Sequence, residues 1–262
     1  MKAPGFWWQQ QPTFLARALS PIGSAVGGVA ARRMARPPVY RSALPVICVG
    51  NPTVGGSGKT PIALAVAALA RQLGKAPVFL SRGYGGTLAG PVAVSANHTS
   101  AEVGDEPLLL STEAPTVVSR DRAAGARLAE TLGDVIVMDD GFQNPTLEKT
   151  LSLLVIDQAV GIGNGLVTPA GPMRAPFASH LAHADAVVLV DNGEPQKATL
   201  PETGALRTFG AHIVPSAPQE LHGVAVLAFA GIGRPERLFH SATALGARVQ
   251  QTRRFGGHDR IG

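Results

Sequence analysis

The stretch Asn51-Pro52-Thr53-Val54-Gly55-Gly56-Ser57-Gly58-Lys59-Thr60-Pro61 decides the fold class of this chain. A short apolar run at residues 44–49 (LPVICV) precedes it and is typical of a strand buried on both faces of a parallel sheet. An Ala- and Leu-rich segment at residues 61–73 follows, with Pro near its start and Gly74 after its end, which are helix start and stop signals. The sequence therefore predicts a strand, a loop and a helix within an α/β protein.

The same stretch has the composition of a phosphate-binding loop. Glycines let backbone N–H groups converge on phosphate oxygens, and a helix N-terminus adds positive potential. Lys59 and Thr60 suit contacts to phosphate and Mg²⁺, respectively. Thr53 stands where the usual pattern begins with Gly, and neighbouring glycines supply the flexibility instead. A purely structural turn is the alternative, but Gly-Lys-Thr between a strand and a helix favours nucleotide binding.

The composition indicates a globular protein with an anionic partner. With 262 residues, the chain has room for one large or two ordinary domains. The single cysteine, Cys48, excludes a disulfide framework and a cysteine-based metal cluster. The net charge of +5 fits nucleic acid, acidic lipid or a phosphorylated substrate. Aromatic residues make up only 5% and no nucleic-acid-reading motif occurs, so a nucleic-acid partner is not predicted.

The N-terminal segment, residues 6–41, differs from the rest of the chain. Phe6, Trp7 and Trp8 come first, and an apolar stretch at residues 14–31 follows, interrupted by an arginine and a proline. Arginines then follow at positions 32, 33, 36 and 41. Indole rings favour the membrane interface and arginines favour anionic headgroups, so this segment is expected to lie on a membrane surface rather than span it. A helix packed on the protein's own core is the alternative.

Further apolar runs predict a mostly parallel sheet with helices between the strands. The predicted strands lie at residues 77–81, 116–119, 134–138, 152–156, 186–190, 224–230 and 248–255. Loop-rich sequence around residues 144–149 and 161–176 predicts a domain boundary near residue 150. We read the segment at residues 191–204 as a surface connection, because it is rich in Pro, Gly and Thr.

Two carboxylates follow the apolar run at residues 135–138. An acid at the carboxyl end of such a strand binds Mg²⁺ beside the loop threonine in phosphate-loop enzymes. Aspartates at strand ends also commonly start turns, but the presence of the phosphate loop favours a metal-binding role here. Asp139 and Asp140 are therefore predicted metal ligands next to Thr60.

Two glycine-containing motifs offer further polar groups. Arg82 and Tyr84 lie on a Gly-rich turn and could bind phosphate or sugar, while Asp105 could accept a proton from an attacking hydroxyl. A simple turn explains the first motif equally well, and a helix N-terminus that favours acids explains the second.

Taken in order, the motifs resemble those of the tetraacyldisaccharide 4'-kinase family of lipid A biosynthesis. The match covers nearly the whole chain, beginning with the aromatic N-terminal helix. The matching segments are PVICVGNPTVGGSGKTP at 45–61, LSRGYGG at 80–86, GDEPLLL at 104–110, MDDGFQN at 138–144, PAGPMRAP at 169–176, FAGIGRPERLF at 229–239 and FGGHD at 255–259.

The resemblance implies ATP- and Mg²⁺-dependent phosphorylation of the 4'-hydroxyl of a lipid A disaccharide precursor, peripherally at the cytoplasmic face of the bacterial inner membrane. It implies no protein partner. Asp105 matches the general base, and His258 matches its histidine partner. Gln143, Asp139 and Asp140 are expected to line the part of the site that binds the metal and the nucleotide. The implied ATP-binding residues of the loop are Thr53, Val54, Gly55, Gly56, Ser57, Gly58, Lys59 and Thr60, and those for phosphate or substrate are Arg82, Tyr84, Arg122 and Arg174.

The chain departs from the family pattern at three places. Gly257 replaces the acid before His258, Ala175 replaces the acid after Arg174, and the later Thr-Glu-Lys-Asp motif is absent. The expected organisation is a membrane-associating helix at 1–42, a nucleotide-binding domain at 43–150 and a second α/β domain at 151–262 that is incomplete at its C-terminus. Two alternatives remain open: a catalytically impaired ATP-binding homologue, and a nucleotide-dependent switch, for which the guanine-reading Asn-Lys-x-Asp is missing.

Overall fold

The computed structural model describes residues 3–56, 58–194, 198–215, 220–230 and 235–254. A short 3₁₀ helix at Gly5–Trp8 precedes the first α-helix. The α-helices are α1 Phe14–Met34, α2 Lys59–Gln72, α3 Ser100–Val103, α4 Asp105–Ser111, α5 Arg122–Ala129, α6 Phe177–Leu181 and α7 Pro235–Ala244. The strands are β1 Val46–Gly50, β2 Pro77–Ser81, β3 Val92–Ala93, β4 Thr116–Val118, β5 Val135–Asp139, β6 Leu151–Asp157, β7 Ala186–Asp191, β8 Arg207–His212, β9 Ala225–Ala230 and β10 Arg248–Arg254.

Eight strands form one sheet in the order β3-β4-β2-β5-β1-β6-β7-β8. Every pairing in it is parallel except that of β3 with β4, which confirms the expected mostly parallel α/β fold. The chain order reverses between β1 and β6, and parallel sheets of this kind bind ligands at the carboxyl ends of strands beside such a reversal. The phosphate loop that follows β1 lies there.

Apolar side chains cover both faces of the sheet. All five residues of β2 and of β5 are buried, as expected for central parallel strands. On one face Ile62 and Ala67 of α2 pack with Leu110 of α4. On the other, Ala126 of α5 packs in a cluster with Met34 of α1. The helices on both faces hold the strand ends, and thus the loops that follow them, in fixed positions.

Two strands were not predicted, and the sheet continues past residue 150. The residues of β8 are mostly exposed at the sheet edge, and β3 is only two residues long. The predicted surface connection at 191–204 ends just before β8.

Because β1 pairs with β6, strands from both sides of residue 150 share one sheet, while β9 and β10 form a second, two-stranded sheet. The division into domains at residue 150 stays a prediction.

Helix α1 runs unbroken for 21 residues with Pro21 inside it. By length and composition alone this helix could cross a membrane. One face packs closely on the protein: a Cβ at Gly23 would lie 2.5 Å from the Val167 carbonyl oxygen. Another face exposes large apolar side chains: Leu15, Ile22, Val26 and Val29.

Candidate active site

The phosphate loop joins β1 to α2 through two glycines with left-handed backbones. Gly55 has φ of 104° and Gly58 has φ of 82°, conformations that other residues rarely adopt. Gly58 also forms the N-cap of α2, so the first N–H groups of that helix have no capping side chain. Free N–H groups at a helix N-terminus are suited to bind an anion.

Lys59 is buried, with its charge directed back into the site. Its Nζ donates to Asn51 Oδ1 at 3.0 Å and lies 3.5 Å from Asp140 Oδ1. Asn51 is itself fully buried and donates to the Thr53 carbonyl oxygen at 2.7 Å. No role was predicted for Asn51, yet its side chain links both ends of the loop. The ammonium group is therefore held ready for a phosphate.

Asp139 lies next to Thr60, as the sequence predicted. The Thr60 hydroxyl donates to Asp139 Oδ2 at 3.2 Å, while the buried Oδ1 has no hydrogen-bond partner among the described residues. Burial raises the pKa of the Asp139 carboxyl to about 7, and the nearby carboxylates of Glu106 and Asp140 add to the rise. A bound cation would satisfy the free oxygen. The described part of the chain contains no cluster of three or more His, Cys, Asp or Glu residues that could hold a metal ion.

Asp140 has a different environment from its neighbour. Its backbone has φ of 50°, which is rare for a residue other than glycine. Its carboxylate accepts from Arg174 Nη1 at 3.0 Å and also faces Lys59. Burial alone would raise the pKa of the Asp140 carboxyl, but Lys59 and Arg174 hold it below its ordinary value. Asp140 is therefore an ionised acceptor between two cations.

Gln143 connects this ion cluster to a buried histidine. Its Nε2 donates to the Asn51 carbonyl at 2.8 Å and lies 3.1 Å from His180 Nε2, while its Oε1 accepts from Arg174. His180 Nδ1 lies 3.2 Å from the Pro176 carbonyl, which can only accept, so Nε2 of His180 must be the acceptor for Gln143. Burial lowers the pKa of His180 to about 4 and keeps the ring neutral. Sequence reasoning missed this residue.

The PAGPMRAP segment fixes the start of the phosphate loop. Val54 N–H donates to the Pro172 carbonyl, and Arg174 N–H donates to the Pro52 carbonyl, both at 2.8 Å. The Arg174 Nε also donates to the Thr53 carbonyl at 3.0 Å. Val54 is therefore held by a backbone hydrogen bond and the Thr53 carbonyl by the Arg174 side chain, so the start of the loop is fixed to the PAGPMRAP segment.

The LSRGYGG and GDEPLLL motifs pack against each other. Gly104 has φ of 92°, and a Cβ there would lie 2.5 Å from the Tyr84 carbonyl oxygen. This close approach places Asp105 and Glu106 at the start of α4 beside the turn that carries Arg82 and Tyr84. Both carboxylates are exposed, but Glu106 lines the space on both sides of the phosphate loop, whereas Asp105 lines neither space. Glu106 is a third site residue, after Asn51 and His180, that sequence reasoning missed.

A large cleft of about 1010 Å³ extends from the phosphate loop to α1. Its polar wall includes all four predicted substrate residues, Arg82, Tyr84, Arg122 and Arg174. Arg122 is only 2% exposed, and burial lowers its pKa to about 10, so it remains charged at neutral pH. Val26, Val29 and Arg33 of α1 also line the cleft. The large cleft thus combines cationic and apolar walls.

Two predicted site residues, Ser57 and His258, lie outside the described residues. Asp139 lies beside Thr60, and Asp105 lies at the start of α4, outside the lining of the large cleft. The predicted residues that line the large cleft are Val54, Gly55, Gly56, Lys59, Asp140, Gln143 and the four substrate candidates.

The family model of LpxK, tetraacyldisaccharide-1-P 4'-kinase, matches residues 15–261. The chain belongs to this family. A tetraacyldisaccharide 4'-kinase of Methylobacterium nodulans is 54% identical over 98% of this chain and 78% of its own length. That of Nitrobacter hamburgensis is 49% identical over 98% of this chain and 78% of its own length.

The fold of this LpxK-family chain is also similar to that of a solved relative. The crystal structure of LpxK from Aquifex aeolicus, described as the "apo" form in complex with ATP, has a TM-score of 0.77 and 28% identity. The similarity covers 94% of this chain and 83% of that protein. The resemblance inferred from the ordered motifs is confirmed. The role of each site residue stays a prediction.

Proposed function

We propose that this protein transfers the γ-phosphoryl group of ATP to the 4'-hydroxyl of a tetraacylated glucosamine disaccharide 1-phosphate. The observation that carries the proposal is the continuity of the phosphate loop with a cleft that has cationic and apolar walls. An acylated, phosphorylated sugar needs both kinds of wall, because acyl chains avoid water and phosphate groups need paired charges. The names of the relatives support the same substrate.

In this proposal the residues around the loop have separate roles. Lys59 and the N–H groups at the start of α2 stabilise the negative charge on the transferring phosphoryl group. Asp105 accepts the proton of the attacking 4'-hydroxyl, in agreement with its position in the family motif. The arginines of the large cleft hold the substrate phosphate and keep the sugar oriented.

Mg²⁺ is the expected cofactor, and Thr60 and Asp139 are the residues that fit it best. Their oxygen atoms are the ligands that Mg²⁺ prefers, and the unpaired Asp139 Oδ1 is free to coordinate it. The ion, when bound, neutralises charge on the β- and γ-phosphate oxygens. Asp140 was predicted to share this role, and its pairing with Arg174 and Lys59 supports a role in orienting both cations as well.

We also propose that α1 attaches the protein peripherally to the cytoplasmic face of an inner membrane. Its exposed apolar face would enter the interface, while Arg33 and neighbouring arginines contact anionic headgroups. Trp7 contributes differently from the sequence-based expectation, because its indole N–H donates to the Pro169 carbonyl at 3.0 Å. The acyl chains of the substrate could then remain near the membrane during transfer.

A phosphate-transfer assay tests the proposal. Radiolabelled ATP is incubated with the purified chain, Mg²⁺ and the tetraacylated disaccharide 1-phosphate, and a labelled bisphosphate lipid is the expected product. ATP binding without product would favour the impaired homologue. GTP hydrolysis without an acceptor would favour the nucleotide-dependent switch, which family membership does not support.

A further inference from the structure

The turn that follows β5 carries two polar residues of the site. Asp140 begins it with a φ of 50°, and Gln143 follows three residues later. A residue other than glycine keeps such a backbone only where its surroundings fix it. We call residues 140–143 the Asp140 turn. Its position depends on what holds Phe142, the residue between Gly141 and Gln143.

Phe142 is held through both its side chain and its backbone. The side chain is buried, and a Cβ at Gly50, the last residue of β1, would lie 2.5 Å from Phe142 Cβ. The ring centroid lies 5.8 Å from that of His180 on α6. The carbonyl oxygen accepts from Lys149 Nζ at 2.8 Å. Strand β1 and helix α6 thus hold the side chain of Phe142, and Lys149 holds its backbone.

Lys149 is a half-buried cation that lines neither the large cleft nor the space on the other side of the phosphate loop. In the described part of the chain it forms no ion pair with a carboxylate. Burial lowers the pKa of its ammonium group. Taking a cation out of water without an anionic partner is unfavourable, so packing alone does not account for a lysine here. Its hydrogen bond to the Phe142 carbonyl is therefore the contact to explain.

The backbone beside Lys149 is fixed at the opposite end of β1. The next residue, Thr150, donates from its N–H to the Val46 carbonyl oxygen at 2.8 Å. Its Oγ1 accepts from the Val46 N–H at 3.1 Å. Val46 is the first residue of β1, whereas Phe142 packs on the last. Lys149 therefore connects the amino end of β1 to the turn that packs at its carboxyl end.

We propose that Lys149 is a positioning residue for phosphoryl transfer, which holds the Asp140 turn so that Asp140 stays between Lys59 and Arg174. This inference rests on the proposed function. The Asp140 carboxylate accepts from Arg174 Nη1 at 3.0 Å and lies 3.5 Å from Lys59 Nζ, so a shift of the turn displaces both cations. Groups that stabilise charge in a transition state lose much of their effect when they are displaced.

Steady-state kinetics of the full chain with ATP, Mg²⁺ and the lipid acceptor test the proposal. Lys149→Met keeps the length of the side chain but removes the donor. Its kcat should fall roughly 10- to 100-fold, the worth of a hydrogen bond to a charged group, while KM for either substrate changes less than about threefold. Lys149→Arg restores a charged donor and should return kcat to within about threefold of the wild type. Lys75→Met makes the same change at an exposed lysine and should leave kcat unchanged.

Thermal unfolding separates positioning from stability. A purely structural role would lower the thermal midpoint of Lys149→Met and the folded fraction, but would leave kcat per folded molecule unchanged. The folded fraction at the assay temperature is therefore measured by circular dichroism, and kcat is expressed per folded molecule. An unchanged kcat on this basis, a change confined to KM, or a loss that Lys149→Arg does not restore would overturn the proposal. A wild type that forms no phosphorylated lipid would instead contradict the proposed function.

Discussion

The residues around the phosphate loop and those on the outer face of α1 border the same large cleft but are held in different ways. Around the loop, Lys59, Asp140 and Arg174 are tied together by ion pairs and hydrogen bonds of 3.0 to 3.5 Å. On α1, Val26 and Val29 are 43% and 66% exposed, and their aliphatic side chains make no hydrogen bonds or ion pairs. Catalysis needs the first arrangement, because transition-state charge is stabilised by groups that do not move. Attachment to a fluid surface needs only apolar area.

The largest effect is expected at the proposed base. Asp105→Asn keeps the size of the side chain but cannot take a proton, so kcat should fall roughly 100- to 10,000-fold while ATP binding is retained. Steady-state kinetics with the lipid acceptor and ATP calorimetry measure the two quantities. Glu106→Gln is the matched comparison, because Glu106 is adjacent and lines the cleft. A larger loss in Glu106→Gln would move the base to that residue.

Removal of the loop cation should have the next largest effect. Lys59→Ala is expected to reduce kcat/KM roughly 100- to 1,000-fold, since the lost charge acts on the transferring phosphoryl group. Circular dichroism should show an intact fold. Lys75→Ala removes a lysine at an exposed position just past the end of α2 and should leave turnover unchanged. Near-normal turnover of Lys59→Ala would contradict the assignment of the loop.

Variants of His180 test whether the hydrogen-bond network around the phosphate loop extends through Gln143 to this histidine. His180→Phe keeps an aromatic ring but removes the acceptor for Gln143, so kcat/KM should fall roughly tenfold, the worth of one buried hydrogen bond. His180→Gln restores an acceptor and should recover part of the loss, which a purely structural role would not explain. His183→Phe, at an exposed histidine just after α6, is the control. Equal activities in the wild type and the three variants would show that the hydrogen-bond network important for turnover ends at Gln143.

Membrane binding by the exposed face of α1 should depend on its apolar area rather than on the exact positions of its side chains. The triple variant Ile22→Ser, Val26→Ser, Val29→Ser removes exposed apolar surface, so co-sedimentation with anionic vesicles should weaken roughly threefold to tenfold. Leu69→Ser, Leu73→Ser removes comparable exposed surface at the end of α2 and should have no effect. If the two variants bind vesicles like the wild type, α1 serves only to pack on the protein.

The smallest effect concerns acid stability. His180 has a folded pKa of about 4, against 6.5 for an ordinary histidine, so the unfolded chain binds more protons between these values. The contribution of His180 to the free energy of unfolding should therefore fall as pH decreases from 6.5 to 4, by at most about 1.4 kcal/mol per pH unit. Asp139, whose pKa is raised to about 7, contributes with the opposite sign over the same window, so the difference between the wild type and His180→Phe isolates the histidine. Urea unfolding at several pH values measures the slope. His180→Phe should reduce the slope, and an unchanged slope would show that His180 is not buried as a neutral ring.

Burial explains the prediction of some strands and the loss of one, although the mostly exposed β10 was also predicted to within one residue. β2 and β7 were predicted to within one residue, because strands buried on both faces read as continuous apolar runs. β8 was missed, because its residues face solvent at the sheet edge and carry no such signal. Asn51 and His180 were missed as site residues for a different reason. Asn51 lies within the phosphate-loop stretch, but its side-chain hydrogen bonds to Thr53 and Lys59 are visible only in the folded loop. His180 belongs to no recognised motif, and its partner Gln143 is distant in sequence.

Helix α1 packs closely on the segment around Val167, and this contact connects the helix proposed to bind the membrane with the phosphate loop. The same segment continues to Pro172 and Arg174, which hold the start of the phosphate loop. If membrane attachment shifts this segment, nucleotide affinity changes with it, and thermodynamic reciprocity requires ATP to change the affinity for the membrane by the same factor. The vesicle affinity of the wild type with and without ATP measures this factor directly. A factor of one would mean that the bilayer and the nucleotide bind independently.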